Sequence, residues 1–176
     1  MDDAAPDRRL LDQLARLGTH PWSGTVWRCT FADNPPGKAN VRGARWNPPG
    51  LEALYASLER ATAIAESDHL IGAQPLRPRA RRTVHQLQIE LRALIKLTDR
   101  SLLAALGVDE AALSADDFRA CQAVGGAAAF LHLDGLLVPS ARNPGENVVI
   151  FFTGGTEPPE VHTLGSEVLD AGPRGR

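Results

Sequence analysis

The sequence predicts an α+β fold, helices and strands mixed without regular alternation, on three observations. Leucines at positions 10, 11, 14 and 17 recur at helical spacing. From His85 the apolar residues Leu87, Ile89, Leu91, Ala93, Ile95 and Leu97 occupy every second position, the period of a strand with one buried face. The remaining segments do not follow one another as βαβ units, which argues against a doubly wound parallel sheet.

The elements follow in chain order. Residues 8–17 form an amphipathic helix that ends at Gly18. Thr25–Phe31 is β-branched and aromatic and reads as a strand. Asn34-Pro35-Pro36-Gly37 and Asn47-Pro48-Pro49-Gly50 are loops. Leu54-Tyr55-Ala56 is a short strand, and Ser57 is placed to cap a helix running to about Gly72. The alternating run from His85 is expected as a long strand, or as two strands broken near Arg92. Residues 99–133 read as helices, with Asp116 or Ser114 capping the last. Asp134-Gly135 turns the chain into Leu136-Leu137-Val138, which ends at Pro139. Val148–Phe152 is wholly apolar and is expected as a buried strand. Beyond Thr153 glycine and proline are frequent, and a loosely packed tail is expected.

Composition excludes several classes of function. The chain has 176 residues, the length of one ordinary domain. Its 19 basic and 21 acidic residues give a net charge of −2, too balanced to draw the whole chain onto nucleic acid or an anionic membrane. The longest uncharged stretch, Ala120 to Leu133, falls short of the about 20 apolar residues that span a bilayer. Met1-Asp2-Asp3 is not the basic start of a secretory signal. Cys29 and Cys121 are expected as free thiols in a reducing cytoplasm. No glycine-rich dinucleotide or phosphate loop occurs, the five histidines lack metal-ligand spacing, and no metal site is expected. Arg77, Arg79, Arg81 and Arg82 form a basic cluster around Pro78, read as a solvated loop or a surface for an acidic partner; without interleaved aromatics, nucleic acid fits it poorly.

Polar residues inside apolar or turn contexts remain. Arg28 follows Trp27 in a strand. Arg45 lies in Gly43-Ala44-Arg45-Trp46-Asn47-Pro48-Pro49-Gly50. Tyr55 is the single tyrosine, and Glu66 lies on the helix after it. Ser140 follows Pro139 in Asp134-Gly135-Leu136-Leu137-Val138-Pro139-Ser140-Ala141-Arg142. Asn147 opens the last strand, Asn147-Val148-Val149. Together, in this order, these segments resemble the RES-domain family, named for an Arg, a Glu and a Ser. The resemblance runs from about Trp27 to Phe152. It divides the chain into an N-terminal helical extension over 1–24, a RES domain over 25–153 and a flexible C-terminal tail over 154–176. The sequence departs from the family at Ala44, where a second glycine is common, and at Cys29, where an aromatic residue is frequent.

The resemblance implies a fold like that of ADP-ribosyltransferase toxins, a split β-sheet core flanked by helices around an NAD cleft. It implies a toxin of a toxin–antitoxin pair that degrades NAD+ by cleaving the nicotinamide–ribose bond, with water or phosphate as acceptor. NAD+ is then the substrate, inorganic phosphate a candidate co-substrate, and no further cofactor is required. The implied partner is an antitoxin with a helix-turn-helix domain of the Xre type that blocks the cleft, in a complex where the toxin can self-associate.

The chemistry suits these residue types. Arginine offers a charged planar fork that matches phosphate oxygens, so Arg28 and Arg45 are candidates for the pyrophosphate or adjacent ribose. Tyr55 can stack on nicotinamide or bond ribose, and it can equally be a core tyrosine. Nicotinamide leaves NAD+ as a neutral molecule and needs no general acid. Positive charge develops instead on the ribose, and one fixed carboxylate, Glu66, can stabilise it. Ser140 is expected to bond Glu66 or the ribose rather than act as a nucleophile, since no histidine is placed to activate it. Asn147 is expected to fix a loop or touch the substrate. Transfer of ADP-ribose to a macromolecule, and a non-catalytic module that holds a phosphate ligand or partner, are the alternatives.

Overall fold

The computed structural model describes residues 5–31, 34–72, 81–141, 144–153 and 157–169. It contains helices and a β-sheet core in the order α1 (Arg8–Leu17), β1 (His20–Phe31), β2 (Ala53–Ser57), α2 (Arg60–Gly72), β3 (Arg82–Lys96), α3 (Arg100–Ala105), α4 (Glu110–Ser114), α5 (Arg119–Phe130), β4 (Gly135–Pro139), β5 (Glu146–Phe151) and β6 (Glu160–Leu169). The mixed fold read from the sequence is present.

The sheet runs β1-β2-β5-β4-β3-β6, and β1 also pairs with β3. The first five strands therefore close into a ring. At the seam Trp27 of β1 is paired with Gln86 of β3 and with Ser57 of β2. β6 lies outside the ring, antiparallel to β3.

Alternation sorts the strand side chains into two cores. Leu54 and Ala56, Val148 and Ile150, and Leu137 join Val26, Leu87, Ile89 and Leu91 in one cluster enclosed by the strands. Ala53, Val149, Phe151, Leu136 and Val138 point the other way, into a second cluster with α1 and α5. Leu14 of α1 is fully buried there, so the N-terminal helix is part of the core.

β3 is one strand, not two. A bulge sits where the second reading placed a break: three steps along β3, Leu91 to Leu94, face two along β1, Trp22 to His20. The added residue reverses which face the later side chains take. Leu91 and Leu94 both lie in the strand-enclosed core, whereas Ile95 lies in the helical one. The backbone N–H groups of Arg92 and Ala93 both donate to Asp134 Oδ2, at 2.6 and 3.2 Å, so the bulge stays hydrogen-bonded.

Other expectations change. β1 begins at His20 rather than Thr25. Ser57 caps nothing: it is the last residue of β2, and α2 starts at Arg60. Neither Ser114 nor Asp116 caps α5; its cap position is Phe118, and the Asp117 carboxylate takes the Arg119 N–H. Asp99 and Asp109 cap α3 and α4, each carboxylate accepting from backbone N–H in the first turn. The tail expectation fails for residues 160–169, which form β6; residues 154–156 and 170–176 lie outside the described residues. Of the basic cluster, Arg77 and Arg79 also lie outside them. Arg82 is an ordinary partner of α2, reaching Asp68 at 2.6 Å and Ser67 at 3.1 Å.

Candidate active site

A cleft of about 590 Å³ opens between the end of β1, the loop over residues 40–50, α2, the turn over 115–118 and the ends of β4 and β5. Arg28, Arg45, Tyr55, Glu66 and Asn147 all line it.

Glu66 projects from α2. Thr62 and Ala63, one turn earlier, are buried against the sheet, and Ala63 forms part of the cleft wall. Two donors converge on one oxygen of the carboxylate. Ser140 Oγ donates to Oε1 at 2.6 Å and Asn147 Nδ2 donates to the same atom at 3.0 Å. These residues come from consecutive strands, Ser140 just past β4 and Asn147 in β5. Pairing of Val138 with Asn147 and of Pro139 with Glu146 brings them to the same end of the sheet. Both of these bonds fall on Oε1 rather than on the second oxygen, Oε2. Behind Asn147, Ser57 Oγ donates to Oδ1 at 2.7 Å.

Arg28 is largely buried. Its two terminal nitrogens donate to the carbonyls of Tyr55 and Lys38, each at 2.9 Å. Its Nε is buried without a protein partner. Burial pushes the guanidinium down to about 10, which still leaves it charged at neutral pH. A held cation with an unanswered donor in a cleft wall fits an anionic ligand.

Arg45 is held differently. One terminal nitrogen donates to the carbonyls of Leu113 and Ala115, at 2.6 and 2.9 Å, and the guanidinium lies 4.5 Å from the centre of the Phe118 ring. The cation thus ties the loop of residues 43–50 to the turn after α4.

The Tyr55 hydroxyl is engaged by the protein. It donates to Asn47 Oδ1 at 2.8 Å and accepts from the Trp46 N–H at 2.9 Å. Burial pushes its phenol well above the ordinary tyrosine value. The ring remains as cleft wall, while the hydroxyl serves the neighbouring loop. Asn47, fully buried, also donates to the carbonyls of Asn40 and Leu51. Gln122 of α5 donates to Ala44 O at 2.9 Å. The Arg45 loop is therefore fixed from both sides.

All the residues singled out from the sequence meet in this region. Ser57, Asn47 and Phe118 were missed. Phe118 lies in a segment read as helix, and Ser57 reads locally as a cap. What gives it its role, the pairing of β2 with β5, joins segments far apart in the chain and leaves no local pattern. Cys29 and Cys121 are both free. Among the described residues no group of three or more His, Cys, Asp or Glu side chains could hold a metal ion, and no helix is long and apolar enough to cross a membrane.

A cleft that joins a carboxylate accepting two hydrogen bonds to a buried arginine, on a ring of strands backed by helices, has the make-up of an enzyme-like pocket suited to an anionic ligand. Its residues belong to one known family: the RES-domain model matches residues 8–166, and the chain is a member of the RES-domain family. The NAD(+) phosphorylase MbcT of Mycobacterium tuberculosis is 35% identical over 158 residues, 82% of each chain. A probable NAD(+) phosphorylase of the same species is 31% identical over 175 residues, 94% of this chain and 81% of its own. The crystal structure of the M. tuberculosis MbcT–MbcA toxin–antitoxin complex superposes with a TM-score of 0.84 at 29% identity, covering 95% of both chains.

Proposed function

We propose that this chain is the toxin of a toxin–antitoxin pair and that it degrades NAD+ by phosphorolysis of the nicotinamide–ribose bond. The observation that carries this reading is the Glu66 carboxylate, gripped on one oxygen by Ser140 and Asn147 within a cleft that also holds Arg28 and Arg45. The phosphorylase activity of its relatives and the toxin–antitoxin complex of its structural neighbour support it.

In the proposed reaction the C1′–N1 bond of the nicotinamide riboside breaks and its electron pair stays on nitrogen. Nicotinamide leaves neutral. A phosphate oxygen forms a new bond to C1′, and the product is ADP-ribose phosphorylated at that carbon. The ribose passes through an oxocarbenium-like state, and the fixed Glu66 carboxylate stabilises that developing charge without reorganising. Ser140 and Asn147 keep its geometry. Arg28, with its unanswered Nε, takes a phosphate oxygen of the pyrophosphate, and Arg45 lends further positive potential to the same wall. The Tyr55 ring offers a face to the nicotinamide. No cofactor beyond NAD+ as substrate and phosphate as co-substrate enters this scheme.

The finer expectations belong to the same reading. An ADP-ribosyltransferase-like core is the finer reading of this mixed fold, although its strands form one continuous sheet closed by β1 and β3 rather than a split one. A helix-turn-helix antitoxin of the Xre type is the proposed partner, blocking the cleft of a cytoplasmic toxin that can self-associate within the complex.

Purified protein incubated with NAD+, with and without inorganic phosphate, tests the reaction. Nicotinamide released with a phosphorylated ADP-ribose, and only when phosphate is present, is the expected result. Free ADP-ribose would make the enzyme a hydrolase, and label on a macromolecule a transferase. Absence of nicotinamide under every condition would overturn the reading.

A further inference from the structure

The structure assigns a positioning role to Ser57: its hydroxyl holds the Asn147 amide so that the amide N–H stays on the Glu66 carboxylate. This inference rests on the reading of Glu66 as the catalytic carboxylate.

Ser57 is 4% exposed and lies where three strands meet. It is the cross-strand partner of Asn147 in the β2–β5 ladder and the partner of Trp27 at the β1–β2 seam. Its backbone is therefore fixed by the sheet, and its Oγ is left to act on Asn147 Oδ1 at 2.7 Å. The opposite end of that amide donates to Glu66 Oε1 at 3.0 Å. The two ends are not interchangeable. A carboxylate only accepts, so it requires the NH2 end, and Oδ1 must then face a donor. The Ser57 hydroxyl is that donor. By bonding Oδ1 it also polarises the amide and strengthens the N–H bond to Glu66.

Removing Oγ leaves a part-buried carbonyl oxygen without its partner. The amide is then free to turn about its last torsion, which is broad and roughly two-fold. In the turned state an acceptor faces Oε1 in place of a donor, and the carboxylate is displaced from its position. The Ser57 side chain is small and adds little packing, so its hydroxyl should register in turnover more than in folding.

The test measures nicotinamide release from NAD+ in phosphate for the Ser57→Ala, Ser57→Thr and Ser57→Val variants. Threonine and valine have nearly the same shape and differ by one hydroxyl. The expected result is a fall in kcat of about tenfold for alanine and valine, the scale of one lost hydrogen bond, with KM little changed and activity restored by threonine. In an Asn147→Ala background, Ser57→Ala should cost nothing further, because the residue acts through Asn147. Wild-type kcat in Ser57→Ala, or an equal loss in both backgrounds, overturns the proposal. Should Ser57→Ala not fold, the threonine–valine pair decides by the same criterion.

An NMR measurement keeps the two readings apart. In the wild type the Asn147 side-chain amide protons should exchange slowly, and in Ser57→Ala about tenfold faster. Unchanged exchange sinks the role of Ser57 whatever the reaction is. A wild-type protein that releases no nicotinamide, yet shows the slowed exchange, would instead sink the reaction.

Discussion

At the scale of single residues, the cleft commits some polar groups to the scaffold, as in the Tyr55 hydroxyl, and leaves others open, as in Arg28 Nε. Glu66 has one oxygen occupied by Ser140 and Asn147. Replacing it with glutamine keeps the shape and removes the charge. Glu66→Gln should therefore lower kcat by about 100-fold or more with an unaltered melting temperature, read by nicotinamide release beside thermal unfolding. Arg28→Ala should chiefly raise KM for NAD+, by about tenfold, since a charge-assisted bond contributes about 1.5–3 kcal/mol. Some stability should go with it, because the same guanidinium holds the Tyr55 and Lys38 carbonyls. An unchanged KM would remove Arg28 from substrate binding. Residue types were the most legible part of the sequence. An arginine in a strand and Glu66 on the helix after a short strand were singled out as residue types, with the resemblance separating Glu66 from its neighbour Glu59. How each is tied was not legible. The Tyr55 hydroxyl reads as a ligand group until the Asn47 and Trp46 contacts are seen. Those contacts depend on the path of a proline-rich loop.

At the scale of elements, helix α5 supports the cleft without contributing a residue to its lining. It passes so close to the Arg45 loop that a Cβ on Gly125 would stand 1.6 Å from the Trp46 carbonyl oxygen. Backbone against backbone leaves no side chain to move aside. Gly125→Ala should lower stability by about 1–3 kcal/mol or more and displace the loop that carries Arg45. Both a reduced melting temperature and a raised KM for NAD+ are expected; a variant with wild-type values would show that the loop can give way. Elements were legible where period and composition agreed. The α1 leucines and the β5 apolar run were read as they fold. The β3 alternation was legible, but its bulge was not: the period of two runs unbroken through Leu91, Ala93 and Ile95 while the face reverses, so the ladder continues where a break was one of the two readings. β6 was missed because its pattern is exposed almost throughout. Its pairing with β3 comes from the partner strand rather than from any periodicity of its own.

At the scale of the whole molecule, His85 joins three strands. Its Nε2 contacts Thr30 Oγ in β1 at 2.9 Å and its Nδ1 contacts Ser166 Oγ in β6 at 2.7 Å. Desolvation first, and the Arg28 charge second, hold its pKa below the ordinary 6.5. The unfolded chain therefore binds the proton more readily than the folded one. The stability that His85 contributes is present above pH 6.5 and is lost as pH falls through the lower, native value. Thermal unfolding between about pH 7.5 and about pH 5.5 should show a smaller loss in His85→Gln than in the wild type. Equal losses would place the acid sensitivity elsewhere.

The closed strand ring also sets how late in synthesis the cleft can be completed. Glu66 leaves the ribosome early, but its partner Asn147 lies 81 positions later, and the Ser57–Asn147 contact spans 90. Contacts of such separation form slowly and only after the intervening chain has emerged. A nascent or prematurely terminated polypeptide that stops before β5 thus carries the carboxylate and the arginines but lacks Asn147, one of the two donors on Glu66 Oε1. The topology itself therefore delays completion of the contacts around the carboxylate until translation is nearly finished.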